Sequence, residues 1–229
     1  GIYTLGGAFW EFGAPDWERS KLFVLFGVAE DHDSNPIKIG IGKMKDRGAR
    51  VIGVNPIRTG YNAVADDWIG ITPGTDGLLI LSLIHCLLQA GKVDLDYLAR
   101  FTNAAYLINE TDGPEKGLFV RNAEAQPFVI DRRTGMPAPW EAKGVQPDLG
   151  AVWQGHRTVF QHMAERYLSP AYAPEAVEAR CGVSALRIRQ LAAELADVAF
   201  NQAIEIAQPW VDFRGDAHNT MIGRPVSFH

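Results

Sequence analysis

The chain has 229 residues, 47% hydrophobic and 21% charged, with a formal net charge of −5. That suits one large globular domain or two small ones with a substantial core, and it argues against a nucleic-acid binder that relies on a general basic field. The two cysteines, Cys86 and Cys181, are far apart and form no CxxC pair, so this chain alone builds neither a zinc or iron–sulfur framework nor a disulfide scaffold.

The opening GIYTLGGAFW has no Met and no basic n-region, and the tail stops abruptly. The expectation is therefore a piece of a longer protein. Residues 1–20, with Phe9, Trp10, Phe12 and Trp17, read as an irregular lead-in. Leu22 to Val28 is a continuous apolar run, the pattern of a strand buried on both faces in a parallel sheet. The loop AEDHDSNP follows, and Pro36 opens a helix to about Asp46 that Gly48 ends. Arg50 to Asn55 is the next buried strand, at βαβ spacing from the first. A short helix is expected over Thr59 to Ala65 and a third strand over Trp68 to Ile71. Thr75 or Asp76 caps a helix that runs to about Ala90 and closes at Gly91. This helix is apolar nearly all round, which predicts a core position. Its apolar run, Gly77 to Leu88, is shorter than the ~20 residues that span a bilayer.

Asp94 to Phe101 reads as another helix. From about Asn103 to Leu149 the chain is rich in Gly, Pro and charge, an excursion from the core in which PFVI and the DRRTG turn suggest a hairpin. Helices return at Thr158 to Tyr167, at Pro174 to Arg180, and after Ser184 with Ile188, Leu191, Leu195 and Val198 on one stripe. Ala203 to Ala207 is a strand, and the tail from Gln208 is a polar loop entering a helix. The fold class is α/β: a Rossmann-like three-layer domain with a mostly parallel sheet, an irregular insertion around 103–149, and 1–229 as one domain.

In an open α/β sheet, ligands bind outside the carboxyl ends of the strands. Three loops matter there. Glu30 to Asn35 offers hydrogen-bonding groups after the first strand, ahead of a helix N-terminus suited to phosphate, although its acids oppose that. Asn55 stands where a ribose hydroxyl is bound, with Arg58 able to hold phosphate as a planar fork and Thr59 beside it. In Pro73-Gly74-Thr75-Asp76, the Asp76 carboxylate can accept from both N1–H and the amine of guanine. The plainer reading of each is a solvated loop, a helix-entry turn and a helix cap. In the tail, Asp212, Arg214, Asp216, His218 and Asn219 could be a metal site, acid–base machinery or a polar loop. His85 reads as a hydrogen-bonded core histidine, and His156 and His162 as surface-helix residues. GxGxxG, GxSxG and the P-loop pattern are absent.

The order VIGVNPIRT, ADDWIGITPGTDGLLILSLIHCLL resembles the molybdopterin oxidoreductases of the dimethyl sulfoxide reductase type, whose members read Asp-Pro-Arg-x-Thr, Ala-Asp and Pro-Gly-Thr-Asp. The matching residues are Asn55, Pro56, Arg58 and Thr59, then Ala65-Asp66, then Pro73 to Asp76. YAPEAVEARCGVSALRIRQLAAELA is similar to a later family stretch. The opening segment resembles the branch acting on sulfur oxyanions, with the sulfite dehydrogenases and thiosulfate or polysulfide reductases.

The resemblance implies a cofactor-binding domain of a large catalytic subunit that uses bis-molybdopterin guanine dinucleotide with molybdenum or tungsten. It implies electron transfer through that metal, with no turnover by this chain alone. Glu30, His32, Asp33, Ser34 and Asn35 would line the cofactor, Asn55 its ribose, and Gly74 and Asp76 its guanine. Arg58 and Thr59 would hold a phosphate or brace the loop, and His218 and Asn219 would lie near the pterin. Asn55 replaces the family's usual Asp and loses charge-assisted strength. No catalytic residue or metal ligand is expected in this chain. The metal ligand and a 4Fe–4S cluster would precede residue 1. Implied partners are the rest of the same polypeptide, an iron–sulfur electron-transfer subunit, and also a membrane anchor subunit, with no nucleic acid. Location stays open, leaning to the cytoplasm and to membrane association through partners. The alternatives are a nicotinamide-dependent dehydrogenase domain, disfavoured by the missing glycine fingerprint, and a non-catalytic α/β binding module.

Overall fold

The computed structural model describes residues 18–27 and 36–229. These fall into two compact units. The first holds the described residues up to Ile80, Val177–Ile204 and Gly223–His229; the second holds Leu81–Ala176 and Glu205–Ile222.

The first unit is built on parallel strands β1 (Leu22–Phe26), β2 (Arg50–Val54) and β3 (Asp67–Ile69), linked by helices α1 (Pro36–Asp46) and α2 (Tyr61–Val64). The apolar runs stay extended because both faces are covered: Leu22, Phe23, Val24, Val51, Ile52 and Val54 are all fully buried. Side chains alternate across a strand. On one face Phe23, Leu25 and Val51 pack with Ile41 and Met44 of α1 and Tyr61 of α2. The opposite face carries Arg50 and Ile52, with Asp67 in register beside Ile52. Helix α7 (Ala185–Ala196) lies on that face, since its Glu194 pairs with Arg50 at 2.7 Å and its Arg187 pairs with Asp67. Its Ile188, Leu191 and Leu195 are buried, so the expected three layers are present. Ser184 caps it by accepting from Arg187 N at 3.3 Å.

The tail differs from expectation. It forms no helix but strands β9 (Trp210–Val211), β10 (Ala217–His218), β11 (Met221–Gly223) and β12 (Val226–Phe228), which follow β8 (Ile204–Ile206). β12 adds to the free side of β1, Leu22 opposite Val226, and gives the parallel order β12-β1-β2-β3. A three-residue strand after Pro225 carries too little periodicity to announce itself; the exposed edge of β1 selects it.

Helix α3 (Asp76–Gln89) carries the division between the units, which falls after Ile80. It is not buried all round: Leu79, Ser82, Leu83 and His85 are buried, and Ile80 is 40% exposed. His85 is the expected core histidine, its Nδ1 2.8 Å from Tyr167 O.

In the second unit, Asp94 caps α4 (Leu95–Phe101) by accepting from Tyr97 N. The 103–149 excursion makes small cores of its own, around Ala104, Ala105, Val129, Val145 and Leu149, and around Leu107 and Ile130. The expected hairpin pairs β4 (Phe128–Ile130) with β5 (Pro137–Pro139). His156 sits not on a helix but in the ribbon of β6 (Val152–Trp153) and β7 (His156–Arg157). Thr158 and Gln161 form a reciprocal capping box at α5 (Val159–Tyr167). Helix α6 (Pro174–Cys181) carries the division that falls after Ala176, and Cys181, buried at its last turn, belongs to the first unit.

Glu110 accepts from Arg157 Nε and N, both at 3.0 Å. Arg157 holds the Glu110 carboxyl at about 2, down from 4.5, against a smaller opposing effect of burial. A depressed acid stabilises the fold above its unfolded pKa, and that contribution is lost as pH falls through the folded value. Glu110→Gln is expected to lower the urea midpoint near pH 6, with the gap to the native protein closing between pH 4.5 and about 2. A gap that stays constant down to that pH would show that the ion pair does not contribute.

Candidate functional site

The first unit holds its strand exits in line at one sheet edge. Gly27, just after β1, donates its N–H to Val54 O at 3.0 Å, and Asn55 N donates to Ile69 O at 3.2 Å. The Trp68 indole donates to Asn55 O at 2.9 Å. The main chain of Asn55 is therefore used by the sheet, while its half-buried amide has no partner among the described residues.

The loop after β2 exposes Arg58, which has no ion-pair partner among the described residues. Thr59 Oγ1 is fully buried and unpartnered there. Gly60, at φ 53° and ψ −128°, takes a conformation open essentially to glycine and turns the chain into α2. Next comes Asn62, 2% exposed, whose Oδ1 is also buried and unpartnered. A Cβ on Gly53 would come within 2.1 Å of that oxygen. Sequence reasoning assigned nothing to Gly53 or Asn62. The signal available was a glycine inside an otherwise β-branched strand, which marks close approach by another group.

After β3 the chain turns at Gly74, φ 78°, into α3. The Thr75 hydroxyl donates to Thr72 O at 2.7 Å, and the amides of Leu78 and Leu79 go to Thr75 O. Neither expected side-chain cap is formed among the described residues. The half-buried Asp76 carboxylate, at the positive end of a 14-residue helix, has no hydrogen-bond partner there.

Asn55, Arg58, Thr59 and Gly74 thus lie in the loops leaving β2 and β3 at their carboxyl ends, and Asp76 is the first residue of α3 after the second of these loops. Glu30, His32, Asp33, Ser34 and Asn35 lie outside the described residues. Asp66 of the Ala-Asp pair is a brace: it accepts from Val51 N at 2.8 Å and pairs with Lys45 at 2.9 Å. Burial opposes its ionisation, but these two partners hold its pKa below the usual carboxylate range.

His218 and Asn219 belong to the second unit. His218 Nε2 lies 2.9 Å from Asp212 Oδ2, and its ring stacks on Trp210 at 4.4 Å. Asp212 also accepts from Arg214 N, Asp216 N and Arg100 Nε. Burial opposes the ionisation of Asp212, yet His218 and Arg100 hold it well below the usual range. Of the tail cluster, Asp212, Asp216 and His218 are therefore joined in a hydrogen-bonded clamp closed by Arg100, a residue too distant in sequence to be found by local pattern. Asn219 is exposed. Among the described residues, no group of three His, Cys, Asp or Glu could hold a metal ion, and no helix is long and apolar enough to cross a membrane.

A cavity of about 670 Å³ opens at the amino ends of β1 and β2, lined by Arg19, Lys21, Arg50, Glu194 and Asp197 among others. It sits at the opposite sheet edge from the loops described above. Among its charges, Arg50 pairs with Glu194, and Asp197 accepts from the side-chain amides of Asn201 and Gln202. Size therefore does not decide the site; the unpartnered polar groups at the carboxyl edge do.

The chain is 42% identical over its whole length to a sulfite dehydrogenase polypeptide of Allochromatium vinosum, of which it covers 25%. It is 27% identical, over 80% of its length, to the catalytic polypeptide of a putative dimethyl sulfoxide reductase of Halobacterium salinarum, of which it covers 23%. It belongs to the molybdopterin oxidoreductase family. No family model matches the chain. The solved structure of acetylene hydratase from Pelobacter acetylenicus aligns at TM-score 0.49 and 16% identity, over 81% of this chain and 17% of that one. The chain spans a quarter or less of these two curated relatives. The matched motifs are the loops at the carboxyl edge, and they offer hydrogen-bond acceptors and, among the described residues, one guanidinium without an ion pair.

Proposed function

We propose that this chain is a region that binds the guanine-dinucleotide part of a bis-molybdopterin guanine dinucleotide cofactor, within the catalytic subunit of a molybdenum or tungsten oxidoreductase acting on a sulfur oxyanion. The observation that carries the reading is the Asp76 carboxylate. It is half-buried at the carboxyl edge of a parallel sheet, beside a helix start, with no protein partner among the described residues. Thr59 Oγ1, buried and unpartnered at the same edge, supports it, because buried polar atoms are rarely left unsatisfied.

In this reading the Asp76 carboxylate accepts from guanine N1–H and the exocyclic amine, which sets guanine apart from adenine. The amide of Asn55 bonds a ribose hydroxyl. Arg58 neutralises a phosphate, and Thr59 donates from within the loop. The loop Glu30 to Asn35 contributes further contacts. When bound, the cofactor supplies two-electron chemistry at its metal; the protein supplies position and hydrogen bonds that tune it. The rest of the full-length polypeptide is assigned the metal ligand, the 4Fe–4S cluster, and the contacts to an iron–sulfur subunit or to a membrane anchor subunit, so this chain alone has no turnover. A relative 42% identical to this chain is named for sulfite, which favours a sulfur oxyanion as substrate.

The test is direct. The full-length protein, purified and denatured, is expected to release guanine nucleotide together with molybdenum or tungsten. An active preparation that yields neither metal nor guanine would sink the reading, and release of a nicotinamide dinucleotide would put the dehydrogenase alternative in its place.

A further inference from the structure

The second unit contains a buried cation that its neighbours do not satisfy. Arg214 is 8% exposed. Its main-chain N–H donates to Asp212 Oδ1 at 2.9 Å. Its guanidinium, however, makes a single hydrogen bond among the described residues, a long one of 3.5 Å from Nη1 to Val145 O. Nε is fully buried and has no partner there. The guanidinium carbon lies 5.2 Å from the centroid of the Phe213 ring, so one of its flat faces has an aromatic neighbour. A guanidinium carries five N–H donors and keeps its proton in proteins, so most of these donors have no protein partner among the described residues.

The nearby carboxylates are already engaged. Asp212 Oδ2 accepts from Arg100 Nε at 2.5 Å and lies 2.9 Å from His218 Nε2. Asp212 Oδ1 accepts from the amides of Arg214 and Asp216. Asp216 Oδ2 accepts from Arg100 Nη2 at 2.5 Å, and this bond holds its pKa below the usual range. Arg100 therefore takes both acids, and Arg214 has no ion pair among the described residues. Burial pushes the Arg214 pKa down and the charge on Arg100 adds to this, while Asp212 and Asp216 pull the other way. A buried charge without hydrogen-bonded compensation is costly, and native proteins seldom keep one unless it serves a partner.

We propose that Arg214 is the receptor for an oxyanion, whose O–X–O edge presents two acceptor oxygens to the guanidinium fork. Two sources share that chemistry: a small free oxyanion such as sulfite or phosphate, and a side-chain carboxylate from the part of the full-length polypeptide beyond this chain. The inference goes beyond the cofactor reading and does not need it, because it rests on the donor imbalance inside the second unit.

The experiment uses the full-length protein with Arg214→Met, of similar length but apolar, and Arg214→Lys, which keeps the charge but loses the fork. Apparent Tm is read in chloride, sulfite and phosphate at equal ionic strength. Arg214→Met is expected to lower Tm by about 2 °C, and Arg214→Lys to restore only part of the loss. If the oxyanion is free, sulfite or phosphate raises the Tm of the native protein above the chloride value, and the rise disappears in both variants. If the source is a carboxylate of the full-length polypeptide, the loss appears without any anion-dependent rise. The proposal is overturned if Arg214→Met equals or exceeds the native Tm in all three salts, because removing an unpaired buried charge is neutral or stabilising. Should Arg214→Met fail to fold, Arg214→Lys decides: a native Tm and native anion response in that variant overturn the proposal, and a lowered Tm supports it.

Discussion

Asp76→Ala in the full-length protein is expected to leave the fold intact and to strip much of the guanine nucleotide from it. A hydrogen bond to a charged group contributes about 1.5–3 kcal/mol, which corresponds to roughly a tenfold to hundredfold loss of affinity. Asp76→Asn should be nearly as damaging, because its amide presents donors where guanine also has donors. The measurement is guanine nucleotide per polypeptide after gel filtration, beside circular dichroism and apparent Tm. The alternative is a helix-terminal role, in which Asp76 favours α3 through the dipole and the first-turn amides. Its removal would then cost about 1 kcal/mol of stability and no cofactor. Unchanged occupancy with a lowered Tm would therefore make Asp76 a helix-terminal residue and nothing more. The geometry favours the first outcome, since the first-turn amides of Leu78 and Leu79 bond the Thr75 carbonyl and, among the described residues, no amide donates to the Asp76 carboxylate.

Gly53→Ala should be the most destabilising small change in the first unit. The new methyl would stand 2.1 Å from Asn62 Oδ1 and 3.3 Å from the Asn62 Cα, so the obstacle is the helix backbone as well as a side chain. Overpacking of this kind costs about 1–3 kcal/mol, and here it presses on the loop carrying Asn55, Arg58 and Thr59. Adding Asn62→Ala opens the space, and because Asn62 Oδ1 has no hydrogen-bond partner among the described residues the second change loses little. The double variant is therefore expected to recover most of the stability, a coupling that a double-mutant cycle in urea would measure. If Gly53→Ala unfolds at the native midpoint, or if the second change deepens the loss, the packing of α2 on β2 is not what limits this position.

Much of the first unit was readable from residues in order. The runs at Leu22 and Val51 could only be doubly covered strands, since uninterrupted apolar side chains demand burial on both faces. Pro36, Gly48, Ser184 and the Thr158–Gln161 pair marked helix ends because their chemistry is local: a fixed φ, a left-handed turn, a side-chain oxygen facing nearby amides. The candidate residues Asn55, Arg58, Thr59, Gly74 and Asp76 were legible for the same reason, since a residue following a strand stands at its carboxyl edge wherever the strand lies in the sheet.

Other features depend on partners far along the chain. β12 pairs with β1 across some 200 residues, and its short VSF carries no pattern that distinguishes it from loop. The tail cluster read as possible metal or acid–base chemistry; Arg100 turns Asp212 and Asp216 into an internal clamp, and no spacing within the tail could point to it. The excursion at 103–149 gained cores of its own because Val129 and Val145 meet Ala104 and Ala105 from outside their local windows.

By itself the sequence determined the α/β order, most of the helices and the candidate loops at one sheet edge, all consequences of short-range periodicity and backbone chemistry. Only the tertiary structure decided which polar atoms are buried without partners among the described residues, Thr59 Oγ1, Asn62 Oδ1 and Arg214 Nε among them. Burial and satisfaction are properties of what packs around a group, and local sequence does not contain them.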